Sequence, residues 1–406
     1  MKKLLVLVAF MYLAGNAMSF TDLEPKTDQP YDASKGNNEF MLKAYSKLSA
    51  DEKNDNIFFS PYSISSALAM TFAGSNGNTE VEMAKALEFT KNTDAFHQDF
   101  SKITDKINEI GKKGIVKLSV ANSLWMQEGY TFLDAFKNIG KKYYNAQIEN
   151  LNFAEDEKSR QIINQWVEEK TNDKIKELIQ QGILDALTRL VLTNAVYFKG
   201  EWKEQFQKNA TKTTTFHNAK GNDVASEMMY NKAMYGYYEN DKFQFLEMPY
   251  KGNDVSMLVL LPKETQGLGK IESELNMSTI DSAIDNIKGK EVKVYFPKFK
   301  LNLSYELSSL MKDLGMNDAF TKAADFSKMT GNKELYISAI IHKTFIEVDE
   351  KGTEAAAATA VVMRMKGAMP QPCPEFKCDH PFFYFIRENE TGTILFTGRL
   401  NDPSIK

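Results

Sequence analysis

One stretch limits the folds open to this chain more than any other: Phe345 to Cys378, FIEVDEKGTEAAAATAVVMRMKGAMPQPCPEFKC. Phe345, Glu347 and Asp349 alternate with Ile346, Val348 and Glu350, the period of a strand. That strand runs to Gly352, the residue best able to let a backbone leave a sheet. Beyond the glycine the residues lack turn chemistry, because Ala355 to Ala358 lead into Thr359, Ala360, Val361 and Val362 with no Pro and no Asn. Read at period two, Thr353, Ala355, Ala357, Thr359, Val361, Met363 and Met365 share one face, and the charges of Glu354, Arg364 and Lys366 fall on the other. A strand that small on one face can be threaded between existing strands without overpacking a core. A short surface helix is the competing reading, since Ala is the best helix former.

The N-terminus has Lys2 and Lys3, an apolar run from Leu4 to Leu13 and small residues at Gly15 and Ala17, the pattern of a secretory signal peptide cleaved after Ala17. The run is too short to span a membrane. The reading is therefore a secreted, extracellular protein occupying residues 18–406 as one domain, since no linker or repeat divides it. A formal charge of −4 with interspersed signs gives no reason to expect nucleic acid. The cysteines are Cys373 and Cys378. Secretion permits a bridge between them, but an extended connection would hold their backbones about 16 Å apart, beyond disulfide reach. Their spacing, with His97, His217, His342 and His380 scattered, excludes a structural zinc site, and no metal or cofactor is expected. The sequons are Asn209, Asn276, Asn302 and Asn389. Asn389, in a turn, reads as the best glycan acceptor and Asn302, in strand-like sequence, as the poorest.

Along the chain, apolar residues from Gly36 to Leu48 recur at helical spacing, and Ser60 before Pro61 is a helix start. Helices are expected at Thr79 to Leu87 and Asp94 to Ile110, and a strand at Ile115 to Trp125. Leu190 to Glu201 is the near-continuous apolar run of a strand buried on both faces, so Asn194 within it needs partners. Phe243–Pro249 with Val255–Pro262, and Phe382–Ile386 with Thr393–Gly398, read as hairpins. Helices come first and strands dominate later, an α+β architecture with several sheets.

The hinge Glu350-Lys351-Gly352-Thr353-Glu354-Ala355-Ala356-Ala357-Ala358-Thr359, with Asp379-His380-Pro381-Phe382 downstream, resembles the reactive-centre loop and C-terminal signature of the serpins. The resemblance implies a single-domain fold with helices around three β-sheets and an exposed reactive-centre loop at about 350–374. It also implies a mechanism: a serine protease cuts the loop, stays acylated to it, and the freed strand inserts into the main sheet. Asn56 to Met70 and the run Val191 to Trp202 also resemble serpin segments. By that analogy Ser60, Ser63, Asn194 and His342 form a polar cluster where two central strands part, and Trp202 sits at the top of the sheet where the loop enters.

In the family the primary-specificity residue usually lies fourteen positions after the hinge glycine, here Lys366, with cleavage before Gly367 and Arg364 as rival. A lysine there selects trypsin-like proteases as partners. Some serpins bind heparin, a glycosaminoglycan, through a basic helix in the region of Lys102, Lys106, Lys112, Lys113 and Lys117. Asp99, Asp105 and Glu109, interleaved here, favour a solvated face instead. The protein is expected to act as a monomer and not as an enzyme: there is no Gly-x-Ser-x-Gly or HExxH motif. The alternative function is a non-inhibitory serpin serving as carrier, chaperone or storage protein. Against it stand Thr353, Ala355, Ala357 and Thr359, with neither Pro nor charge on the inward face.

Overall fold

The computed structural model describes residues 31–353 and 373–405. Residues 1–17, read above as a signal peptide, the residues Ala355, Ala357, Thr359, Arg364, Lys366 and Gly367 of the expected reactive-centre loop, and Met363 and Met365 lie outside them. The described residues from Asp32 onward form one compact unit.

Helices dominate the first half of the chain: α1 (Ala33–Asp51), β1 (Ile57–Phe59), α2 (Pro61–Ala73), α3 (Gly77–Leu87), α4 (Asp94–Lys112), β2 (Val116–Gln127), α5 (Asp134–Tyr144), β3 (Gln147–Leu151), α6 (Asp156–Lys170) and β4 (Leu190–Glu201). Strands dominate the second: β5 (Lys212–His217), β6 (Asp223–Glu239), β7 (Phe243–Pro249), β8 (Val255–Pro262), α7 (Leu268–Glu274), α8 (Met277–Asp285), β9 (Lys288–Pro297), β10 (Phe299–Glu306), α9 (Ser308–Asp313), α10 (Ser327–Thr330), β11 (Ala339–Asp349), β12 (Gly352–Thr353), β13 (Glu375–Lys377), β14 (Phe382–Glu388) and β15 (Ile394–Leu400).

α2 is buried along its whole length and packs against β2, β4 and β15, so it lies at the centre of the molecule. Its start comes from local chemistry. Ser60 is extended and its hydroxyl accepts from the Ser63 N–H, while Pro61 occupies the first helical position, where no N–H is needed.

The strands form two sheets. One has six strands in the order β10-β11-β12-β4-β2-β3, and β11 also pairs directly with β4. The other has nine, running β1-β15-β14-β8-β7-β6-β9-β13 with β5 attached to β6. The ladders that the resemblance divides between a second and a third sheet are continuous here, because β6 is 17 residues long and pairs with β5, β7 and β9 along its length.

On one face of the six-stranded sheet, Trp125, Val191, Ala195, Tyr197, Ile341 and Phe345 form a core with Ile163 and Val167 of α6 and with Ile175 and Ile179 beyond it. Side chains alternate along β4, so Asn194 points to the opposite face, towards α2.

Candidate functional site: a parted strand pair and its hinge

β4 and β11 run parallel and pair directly from Val191 with Ala339 to Tyr197 with Phe345. Asn194 and His342 sit opposite each other in the middle of this ladder. Their side chains hydrogen-bond across it, with His342 Nδ1 against Asn194 Oδ1. The Asn194 Nδ2 donates to the Ser63 carbonyl at 2.9 Å and also meets the Ser63 hydroxyl and Asn122 Oδ1. His342 Nε2 accepts from the Ser60 N–H at 3.1 Å. The Ser60 hydroxyl donates to the Leu395 carbonyl at 2.6 Å. The four residues expected as a cluster are therefore in one hydrogen-bonded group, which ties α2 and β15 to the seam between β4 and β11.

Two further members, Asn122 and Ser66, lie outside that expectation. Asn122 of β2 joins through its Oδ1 and donates to Ser66 Oγ at 3.2 Å. The expected strand from Ile115 to Trp125 contains Asn122, but nothing in its sequence tells that the amide meets Asn194.

The group also fixes the state of the imidazole. Ser60 N–H is a donor, so Nε2 carries no proton and Nδ1 donates to Asn194 Oδ1, the neutral tautomer. Complete burial pushes the His342 pKa down to about 3. The unfolded chain binds a proton near pH 6.5 and the folded one does not until about pH 3, so stability falls as pH drops through that window. At pH 5 the cost from this residue is about 2 kcal/mol. His97, pushed down to about 4 by burial, acts in the same direction. The expected result is a thermal midpoint lower at pH 5 than at pH 7.5, with His342→Gln reducing the difference. An unchanged difference in that variant would show that His342 does not carry it.

Above the Tyr197–Phe345 pair the two strands are apart, and β12 stands between them. Gly352 and Thr353 pair with Glu201 and Gly200 of β4 on one side and with Asp349 and Val348 of β11 on the other, antiparallel to both. Only glycine fits at 352, since a Cβ would lie 2.1 Å from the Gly200 carbonyl oxygen. Thr353 is fully buried, and its hydroxyl meets that of Tyr250 at 2.9 Å. Trp202 stands apart from the polar group, stacked on Tyr250 with centroids 4.5 Å apart.

The segment from Trp202 to Thr211 straps the hinge down. The Trp202 N–H and indole N–H donate to the carbonyls of Lys351 and Asp349 at 2.8 and 3.1 Å. The Phe206 N–H donates to the Glu350 carbonyl at 2.8 Å, and the Thr211 hydroxyl to Glu350 Oε1 at 2.8 Å. Lys298 lies 3.4 Å from the same carboxylate. Burial alone would raise the Glu350 pKa, but its own N–H, Thr211 and Lys298 outweigh it and the net shift is downward.

The remaining expectations divide. Cys373 and Cys378 are both free thiols, and the extended strand β13 separates them. Lys102, Lys106 and Lys113 are paired with Asp99, Glu390 and Asp254. Asn389, the sequon expected as the best acceptor, is half-buried in the folded chain, and its Nδ2 donates to the Asn253 carbonyl and Ser256 Oγ, both at 2.9 Å.

The family model for serpins, described as serine protease inhibitors, matches residues 35–403. The chain is 42% identical over 380 residues to the human leukocyte elastase inhibitor, covering 91% of this chain and 99% of that protein. Among solved structures, it is similar to a highly specific serpin of the insect Tenebrio molitor (TM-score 0.82, 31% identity, 93% of this chain and 100% of that one). It is also similar to native protease nexin-1 with heparin (TM-score 0.82, 33% identity, 91% and 99%). With a relative that close over nearly its full length, the chain belongs to the serpin family.

Proposed function

We propose that this serpin is a secreted inhibitor of trypsin-like serine proteases that traps them as acyl-enzymes when its cut loop inserts between β4 and β11. The observation that carries the reading is β12: two hinge residues already occupy the seam, hydrogen-bonded on both sides, so the next residues have a path that continues a ladder already begun. The inward face of that continuation, Ala355, Ala357 and Thr359, is small and uncharged. A carrier or storage role would not need such a face.

Lys366 is the proposed specificity residue, because a cation in the loop matches the acidic pocket of a trypsin-like enzyme. The name of the human relative favours a second reading, in which an elastase with its small pocket cuts within the apolar run Val361 to Met363. Incubation with trypsin and with leukocyte elastase, followed by the mass of the released C-terminal peptide, decides between them. A trypsin fragment beginning at Gly367 is expected. One beginning at Met365, with inhibition intact, would move the bond to Arg364, shortening the insertable strand by roughly 7 Å. A stable complex with elastase alone would overturn the trypsin-like assignment.

A further inference from the structure

We propose that Asn209 carries an N-linked glycan that stands beside the hinge of the reactive-centre loop. The inference rests on the secretory reading proposed above. Asn209-Ala210-Thr211 is a sequon, and Asn209 lies exposed in a one-turn helix, Lys208–Ala210, near the end of the hinge strap and just before β5. The other sequons are placed differently. Asn276 caps α8, with its Oδ1 accepting from the Thr279 N–H and its Nδ2 donating to the Glu274 carbonyl. Asn302 lies in mid-strand opposite Phe345, and the Asn389 amide is engaged by Asn253 and Ser256.

Thr211 gives the site its second feature. Its hydroxyl is the part of the sequon that the transfer reaction requires of the unfolded chain, and after folding the same hydroxyl donates to Glu350 at the hinge. Attachment joins Asn209 Nδ2 to the anomeric carbon of an oligosaccharide carried on a polyprenyl diphosphate. The sugar–phosphate bond breaks, the polyprenyl diphosphate departs, and Nδ2 gives up one proton. The glycan so placed is compatible with loop insertion, because Asn209 belongs to neither β4 nor β11 and need not enter the seam. It stands three residues before Lys212–Thr215, four successive exposed residues of β5, a strand that pairs with β6 alone among the described strands. A bulky hydrophilic group there covers an open strand edge next to the hinge.

The test is to produce the full chain in a eukaryotic secretory host, once with residues 1–17 and once with a foreign leader, and to map glycan occupancy by mass spectrometry of peptides treated with a glycan-releasing amidase. Asn209 is expected to be occupied in both. Asn209 bare in secreted protein overturns the site, and a glycan on Asn276 or Asn302 in the same sample would show that the secretory route itself was intact. Retention of the first form, with Asn209 occupied in the second, supports the site and overturns the secretory reading instead. Asn209→Gln should lose one glycan and keep the thermal midpoint of enzymatically deglycosylated parent protein. Thr211→Ala should lose the glycan and also fall below that midpoint, and Thr211→Ser should keep both glycan and midpoint. If Asn209→Gln migrates on a denaturing gel with the untreated parent, no glycan was present there and the proposal fails.

Discussion

Thr353→Arg is expected to turn the proposed inhibitor into a substrate: protease cuts the loop and is released. Thr353 is the second residue of β12, fully buried between Gly200 and Val348, with its hydroxyl on Tyr250. No room exists for a longer side chain, because Tyr250 is itself fully buried, stacked on Trp202 and edge-on to Phe198. An arginine must either leave the seam, taking β12 with it, or bury an unpaired guanidinium at a cost of about 3–5 kcal/mol. A rise of even ~3 kcal/mol in the barrier to insertion slows it by over ~100-fold, which is enough to let deacylation win. The measurement is the ratio of SDS-stable complex to cleaved, free inhibitor at fixed protease. Complex formation at wild-type stoichiometry would contradict insertion through this seam.

The seam is legible in part because its demands on sequence are severe. An amide in a run of buried strand residues has to be bonded, which singles out Asn194, and a Ser-Pro pair before a helix reports its own cap. A strand running into Gly352 and then into alanines has few uses. Other features leave no such trace. Asn122 reads as one more member of an alternating strand, and only the register of β2 against β4, which pairs it with Asn194, brings the amide to the cluster. Tyr250 lies just beyond a hairpin strand, and its role as the partner of Thr353 depends on contacts 103 residues apart. The strap from Trp202 to Thr211 makes half of its hydrogen bonds to the hinge through its own backbone N–H groups, which every residue but proline possesses, so composition marks it only in part. The surroundings of Asn389 are illegible for a related reason. A turn in sequence is normally exposed, but this one folds against the turn at Asn253, and its side chain is used to join the two.

Cleavage of the loop without a protease trap, for example by a protease of another class, is expected to raise the thermal midpoint by ~20 °C. In the intact protein β4 and β11 share one direct parallel ladder over Val191–Tyr197 and Ala339–Phe345, and the hinge supplies two further residues above it. A freed strand that continued β12 down the seam would replace that single parallel ladder with two antiparallel ones, the more stable pairing per residue. The His342–Asn194 bond across the seam would be lost, at the modest net value of a hydrogen bond between neutral groups. Against that loss stand on the order of a dozen new ladder bonds at about 1 kcal/mol each, and burial of the face that carries Val361 and Met363. A net gain of ~10 kcal/mol at roughly 2 °C per kcal/mol gives the expected shift. Heating intact and nicked protein side by side at one scan rate decides it. Equal midpoints would mean that the cut strand stays outside the sheet, and the non-inhibitory reading would then replace the inhibitory one.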